Sequence, residues 1–335
     1  MNKKFLLMTA ALALSLPWAG CSKSSKLDQA STFTPPGGPV ELKLKWTKDE
    51  RIVQEMDMKQ TSELSIPGQT APMKQEMALQ QEYGLTVLKE SPGGGHEVEM
   101  EFLSARVGVP MGSATLANYD STKKSSADTG NPVAGIFGKI IGSKIQFFLN
   151  ASNGVERMEG VEGLTEKLAS IGPVNQLQAF KDLYSEGNLK QMMSVNLILP
   201  PKAVQPGDTW PVHIQFPMGN MGTMFVDDDF TFKSWERHGE RNCARLEFEG
   251  TVTNKLDPAA NPTGMSVSIT DGKSSGVAWF DPELGIRIDS VMNLDMNLAI
   301  TLPMNSPGSP AGAAGRQSIT DQMNQTVNVK LISVK

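Results

Sequence analysis

Met218, Met221 and Met224 recur at three-residue intervals in the run MGNMGTMFVDDDF and are followed at once by Asp227, Asp228 and Asp229. Thioether sulfur is soft and selects Cu(I), so the triplet poses a copper site. The intervening residues argue for another reading. Gly219, Asn220 and Gly222 interleave the methionines just after a strand pattern ends at Phe216 and Pro217, which is hairpin-turn chemistry. Met224 then alternates with Val226 as an inward strand residue, and no histidine or cysteine stands near to complete a shell. The aspartates are hard oxygen ligands without the spacing of a calcium loop. The stretch reads as a hairpin connection, with a bulge expected at the three aspartates to keep one of them off the dry face. A Cu(I) carrier is the outlying alternative.

Other constellations give less. Gly272-Lys273-Ser274-Ser275-Gly276 fits the spacing of a hydrolase nucleophile elbow, but that device needs a helix after the serine, and Val277-Ala278-Trp279-Phe280 reads as strand. A polar turn between strands is expected there. The three histidines, at 96, 213 and 238, form no pair at metal-ligand spacing, and alternation turns His213 outward. Glu97, Glu99 and Glu101 oppose Val98 and Met100 and read as a solvated face. Cys243 shares its side of a strand with Arg245 and Glu247, which predicts a half-exposed thiol without a second ligand. No catalytic residue, metal ligand or cofactor site is expected, and the chain does not read as an enzyme.

The elements that hold these residues are dominated by a period of two, the mark of half-buried strands. In Ile288 to Leu302, Met292, Leu294, Met296, Leu298, Ile300 and Leu302 take one face, while Asn293, Asp295, Asn297 and Thr301 take the other. Similar patterns run through 41–46, 51–65, 73–87, 96–107, 209–216, 223–236, 244–252, 265–270 and 318–334. The fold class is mainly β with a minority of helix: long antiparallel strands, curved, in two halves. Asn131-Pro132 opens a helix whose stripe is Val133, Ile136, Phe137, Ile140 and Ile141, and further short helices between 161 and 199 connect the halves. The expected sheet-forming halves are residues 39–160 and 200–335. The hairpin at 145–158 can be laid on that at 276–289, with Asn150 on Asp281 and Gly154 on Gly285. Methionine is abundant, at 19 against 13 Phe, and Met56, Met58, Met77, Met100, Met292 and Met296 fall on apolar strand faces. Such flexible, polarizable side chains suit a surface that adapts to varied apolar shapes, so this face is the candidate site for an apolar ligand or lipid. Alternation alone leaves two readings open, a ligand-holding groove and a closed core.

The first twenty residues, two lysines followed by an apolar run from Phe5 to Leu16, have the layout of an export signal. Trp18-Ala19-Gly20-Cys21 resembles the lipobox of bacterial lipoproteins, which implies acylation of Cys21 and a lipid anchor. Residues 21–38 read as a polar, Pro- and Gly-rich tether. The formal charge of −5, which becomes −7 without the two leader lysines, disfavours nucleic acid as a partner. With Cys21 carrying lipid, Cys243 has no disulfide partner. The stretches LPPKAVQPGDTWPV and GVAWFDPELGIRIDS, followed by a long alternating strand and a final strand, resemble an uncharacterised family of bacterial envelope lipoproteins over residues 40 to 335. That resemblance implies an envelope location; Ser22 after the cysteine points to the outer membrane, facing the periplasm. It brings no functional residues. At the level of architecture the chain is also similar to lipid carriers of the lipoprotein-localisation class.

Overall fold

The computed structural model describes residues 35–111, 115–123, 130–170, 184–194, 198–218, 222–256, 266–303 and 316–335. Twelve strands form one antiparallel sheet: β1 (Arg51–Ser65), β2 (Met73–Glu90), β3 (His96–Met111), β4 (Thr115–Asp120), β5 (Lys144–Leu149), β6 (Val155–Glu159), β7 (Thr209–Pro217), β8 (Thr223–His238), β9 (Arg241–Lys255), β10 (Ser266–Asp281), β11 (Ile286–Pro303) and β12 (Arg316–Val334). Their order is β6-β5-β3-β2-β1-β12-β11-β10-β9-β8-β7, with β4 added to β3. Each half is a run of neighbouring strands, and the first and last strands of the chain, β1 and β12, pair to join the halves in mid-sheet.

The period-two pattern sets which face goes inward. In β1 every even-numbered residue from Ile52 to Leu64 is buried, and in β11 Leu294, Met296, Leu298, Ile300 and Leu302 are buried, as alternation predicts. The outer face carries the charges, where Glu101 pairs with Arg51 at 2.6 Å and Glu99 with Lys144 at 2.7 Å.

The sheet does not run flat. Register shifts fall at Glu82/Tyr83 between β2 and β3, at Val53/Gln54 between β1 and β12, at Trp279/Phe280 between β10 and β11, and at Phe232/Ser234 between β8 and β9. All four lie just to one side of a single buried row of cross-strand neighbours, Gln81, Met56, Val329, Ser290, Ala278, Leu246 and Phe232. A bulge sharpens local twist and bends its strand, so a belt of bulges at one level curls the whole sheet. Residues of β1 and β2 thereby come to face residues of β7 and β8 across one interior.

Among the described residues three short helices accompany the sheet: α1 (Pro132–Ile140), α2 (Val161–Ala169) and α3 (Glu186–Ser194). The Asn131 side chain caps α1 by accepting from the Val133 amide at 3.0 Å, and Val133, Ile136, Phe137 and Ile140 are all buried. Phe137 and Phe102 meet Tyr184 edge-on, which seals α1 against the inner face of the first half. Part of the expected helical connector, 171–183, lies outside the described residues.

Three expectations change here. The pattern at 41–46 predicts a strand, but beyond the single bridge of Val40 to Val204 the segment pairs with no strand. It crosses the sheet's end as a strap: the Lys45 amide donates to Gly285 at 3.1 Å, and Trp46 Nε1 donates to Asn153 Oδ1 at 2.8 Å. Its alternation arises because Leu42 and Trp46 are buried at that end. Residues 272–276, read as a turn, are the middle of β10, with a bulge at Thr270 in place of a reversal. The expected bulge at Asp227 to Asp229 is absent, and pairing with β9 runs through them in register.

Candidate functional site

One step along the strands from the bulge belt, a second row crosses the inner face: Leu79, Met58, Val327, Met292, Gly276, Phe248, Phe230 and Trp210. It is aliphatic in the middle of the sheet and aromatic toward β7. Phe230 stacks on Phe248 with centroids 4.6 Å apart and on Trp210 at 6.0 Å. Gly276 makes room for this stack, since a Cβ there would lie 2.4 Å from the Phe248 ring.

Between these walls lies a cavity of about 100 Å³. Met56 and Tyr83 border it from one half; Ile214, Phe230, Phe248 and Ala278 border it from the other; Ser290, Met292, Val327 and Val329 form its floor. Its cover comes from outside the sheet, from Met192 of α3 and from Ile198. Helix α3 touches both edge strands, β6 and β7, with Gly187 packed on Pro217, so it spans the gap that the curled sheet leaves open. A short amphipathic helix can do this because Leu189 and Met193 are buried on one side.

The polar groups on this apolar interior are few. Asp228 is inward and buried, and it accepts a hydrogen bond from Ser274 across the strand between them, where Gly250 has no side chain to intervene. Burial raises its pKa, Ser274 opposes the rise, and Asp227 and Asp229 add to it. Tyr83 donates to Gln54 at 3.0 Å. Arg287 lines the cavity and also a smaller recess beside it that reaches Leu44 of the strap. Its inward position comes from a bulge: Trp279 faces Asp289, but Phe280 faces Arg287, so Ile288 has no partner and the side chain that regular alternation would send outward is turned inward.

Of the six methionines expected to line a ligand face, the structure brings Met56 and Met292 to the cavity. Met58, Met77, Met100 and Met296 are buried in the packed core. Met58 sulfur accepts from Gln325 at 3.4 Å, and Met77 and Met100 belong to the cluster that includes α1 and α2. Cys21 lies outside the described residues. At the opening motif, Met218 closes a hairpin by donating its amide to Gly222 at 2.8 Å, and Met218 and Met224 are buried in an apolar cluster; Met221 lies outside the described residues. Among the described residues no three His, Cys, Asp or Glu side chains converge on one centre. His213 is exposed and meets Asp227 at 2.7 Å.

Cys243 departs from expectation. The thiol is fully buried instead of half-exposed, and burial, with Asp281 adding to it, pushes its pKa up to about 12. Cys243 and Ala244 are neighbours on β9 and both are buried, so the strand is covered on both faces at this point, with Glu236 opposite Cys243. Arg287, Phe230 and Phe248 went unnoticed as site residues in the sequence. The aromatic pair carried the ordinary signal of inward strand residues, whereas Arg287 carried none, its neighbours Ile286 and Ile288 being those that alternation marks as inward.

Comparison with known proteins adds a family and little else. No curated protein matches the chain. Among solved structures, lipovitellin, described as a study of lipid–protein interactions, is 8% identical with a TM-score of 0.43 over 87% of this chain, which spans 26% of the lipovitellin chain. A lipoprotein-sorting protein domain from Vibrio parahaemolyticus is 10% identical with a TM-score of 0.12, covering 83% of this chain and 84% of its own. The outer-membrane protein OprG from Pseudomonas aeruginosa is 6% identical with a TM-score of 0.19, covering 86% and 99%. Scores of this size do not amount to a shared fold. The model of a family of unknown function, DUF6263, matches residues 94–286, from β3 to the start of β11 and so across both halves of the curled sheet and the helices between them; the chain belongs to the DUF6263 family.

Proposed function

We propose that this protein is a lipid-anchored component of the bacterial envelope that holds an apolar ligand or lipid inside its curled sheet, as a binder and not an enzyme. The observation that carries the reading is the cavity itself: apolar walls from both halves, aromatic stacking along one side, and a helix laid across the open seam. A volume of about 100 Å³ is of the order of the engineered cavities of about 150 Å³ that take up benzene or xenon, so what it encloses is a ring or a short run of methylenes from a longer chain. The export layout and Ala19-Gly20-Cys21 support anchoring through Cys21, and Ser22 supports the outer membrane. Protein gently purified from its native membrane is expected to carry lipid in native mass spectrometry and to take up a fluorescent fatty acid. Absence of both overturns the binding reading. Wild type should enter the detergent phase in cloud-point partitioning and Cys21→Ala should stay in the aqueous phase; equal partitioning overturns the anchor.

A second reading, a structural lipoprotein with a closed core and no small-molecule ligand, is favoured by one fact. Met58, Met77, Met100 and Met296 are sealed in packed clusters, so most of the methionine face is core.

A further inference from the structure

Among the described residues Arg287 is the one guanidinium that borders the cavity. It is half-buried, with Nε buried and lacking a hydrogen-bond partner, and among the described residues no carboxylate forms an ion pair with it. A cation placed against apolar walls without a counter-charge costs stability, and proteins keep such arrangements where the missing partner comes from elsewhere. The groups that could have served are committed otherwise. Asp289, two residues on, projects to the outer face and pairs with His238 at 3.1 Å. Asp228 borders the same cavity, but several rows away along the sheet, and takes its hydrogen bond from Ser274, while burial raises its pKa and so disfavours the charged form. Tyr83 is turned to Gln54. Burial also holds the Arg287 guanidinium below its usual range, with the neighbouring Tyr83 and Asp289 only partly offsetting this.

The bulge is the second observation. Had Ile288 paired with Phe280 in regular register, Arg287 would lie opposite Asp281 and face away from the cavity. Bulges recur where a side chain must be re-aimed, and this one aims a positive charge at the end of the cavity nearest the strap, while the aromatic and aliphatic rows extend away from it.

We infer that Arg287 receives the carboxylate of an anionic amphiphile whose apolar part lies against Met292, Phe248 and Phe230. The inference rests on the apolar-ligand reading above and names the ligand class. The planar guanidinium fork can hold either a carboxylate or a phosphate in two parallel hydrogen bonds. A carboxylate fits better than a phosphate monoester on charge: the single positive charge of Arg287 neutralises a single negative one and leaves no second charge uncompensated against apolar walls.

Decanoate and 1-decanol share a tail and differ in the head, so their displacement of a fluorescent fatty acid from the full chain separates head from cavity. Wild type should bind decanoate about tenfold more tightly than 1-decanol, the scale of a charge-assisted hydrogen bond in a buried site. Arg287→Met, which keeps the apolar stem, should lose that preference while binding 1-decanol as wild type does, and its thermal midpoint should not fall. Equal binding of the two compounds by wild type, or a preference for decanoate that survives in Arg287→Met, overturns the role of Arg287 and leaves the apolar cavity standing. Binding of neither compound by wild type overturns both.

Discussion

The two halves of the sheet bury their inner faces by different means. In the first half, α1 and α2 lie against the sheet, and Met100, Phe102 and Phe147 are fully covered. In the second half no described helix lies flat on the inner face; Trp210, Phe230 and Phe248 stack on one another instead, and α3 only bridges the seam, leaving a cavity. Both faces show the same alternation. A helix laid on a sheet fills the interdigitating space, whereas a sheet curled on itself meets its far wall only where side chains are long enough to reach, and voids survive between. The cavity therefore belongs to curvature rather than to composition: of the six methionines on apolar strand faces, Met56 and Met292 reach the space that curvature leaves, and Met192 reaches it from α3.

The largest expected effect tests this contrast directly. Met100→Ala and Met77→Ala, both in sealed positions, should each cost about 2 to 5 kcal/mol, because a new void opens in close-packed surroundings. Met292→Ala, on a wall that already borders a void, should cost no more than about 1 to 2 kcal/mol, since fewer contacts are lost. Urea unfolding of the three variants checks the order. Equal losses at Met100 and Met292 would mean that the second half is packed as tightly as the first.

Gly276 sharpens the comparison from the cavity side. A methyl group there would lie 2.4 Å from the Phe248 ring and 2.1 Å from the Val291 carbonyl, so Gly276→Ala should displace the ring and cost about 1 to 3 kcal/mol. Ring displacement also perturbs the stack with Phe230, and the near-ultraviolet circular dichroism should change while the far-ultraviolet signal does not. An unchanged near-ultraviolet spectrum would show that the aromatic wall is not held by this contact.

A buried acid at the other end of the strands predicts a gain. Asp321 is 1% exposed among Leu64, Leu298 and Met323, and burial raises its pKa to about 6, with Ser62 only partly opposing the rise. A carboxyl whose pKa is higher in the fold than in the unfolded chain binds its proton more tightly when folded, so stability falls as pH rises from the unfolded value of 3.8 through about 6. Asp321→Asn removes that loss. At pH 7 the variant should be more stable than wild type by about 3 kcal/mol, and the gain should fade as pH is lowered toward 4. A difference that does not vary with pH would assign the effect to shape instead of charge.

Much of the fold was readable because alternation is a local property that burial enforces strand by strand. The bounds of β1 and the inward set of β11 follow from the residues alone. Bulges do not, because they arise from the match of one strand to its partner, and a single extra residue reverses the parity of everything beyond it. That is why alternation gives no sign of Arg287; Cys243 differs for another reason, since β9 is covered on both faces where it lies, which the strand's own pattern does not reveal. The Asp227-Asp228-Asp229 run departs from expectation for the opposite reason: alternation demands a bulge to spare an inward aspartate, but Gly250 and Ser274 on neighbouring strands accommodate Asp228 without one. Neither the curl of the sheet nor the seam covered by α3 leaves a mark on any one segment.

The smallest expected effect uses two adjacent residues of β3 as its own control. Met100 points inward and is 1% exposed, while Glu101 points outward and pairs with Arg51 at 2.6 Å. The pair is partly solvated, with side-chain exposures of 33% for Arg51 and 23% for Glu101, so water and salt screen the attraction and little is gained over two hydrated ions. Glu101→Gln keeps the shape and a hydrogen-bond acceptor, and should cost no more than about 1 kcal/mol, an effect that shrinks further in high salt. Equilibrium unfolding at low and high salt measures it. A loss approaching that of Met100→Ala would mean that the outer face helps to set the bend of the strands, and that the curl enclosing the cavity is held from both sides of the sheet.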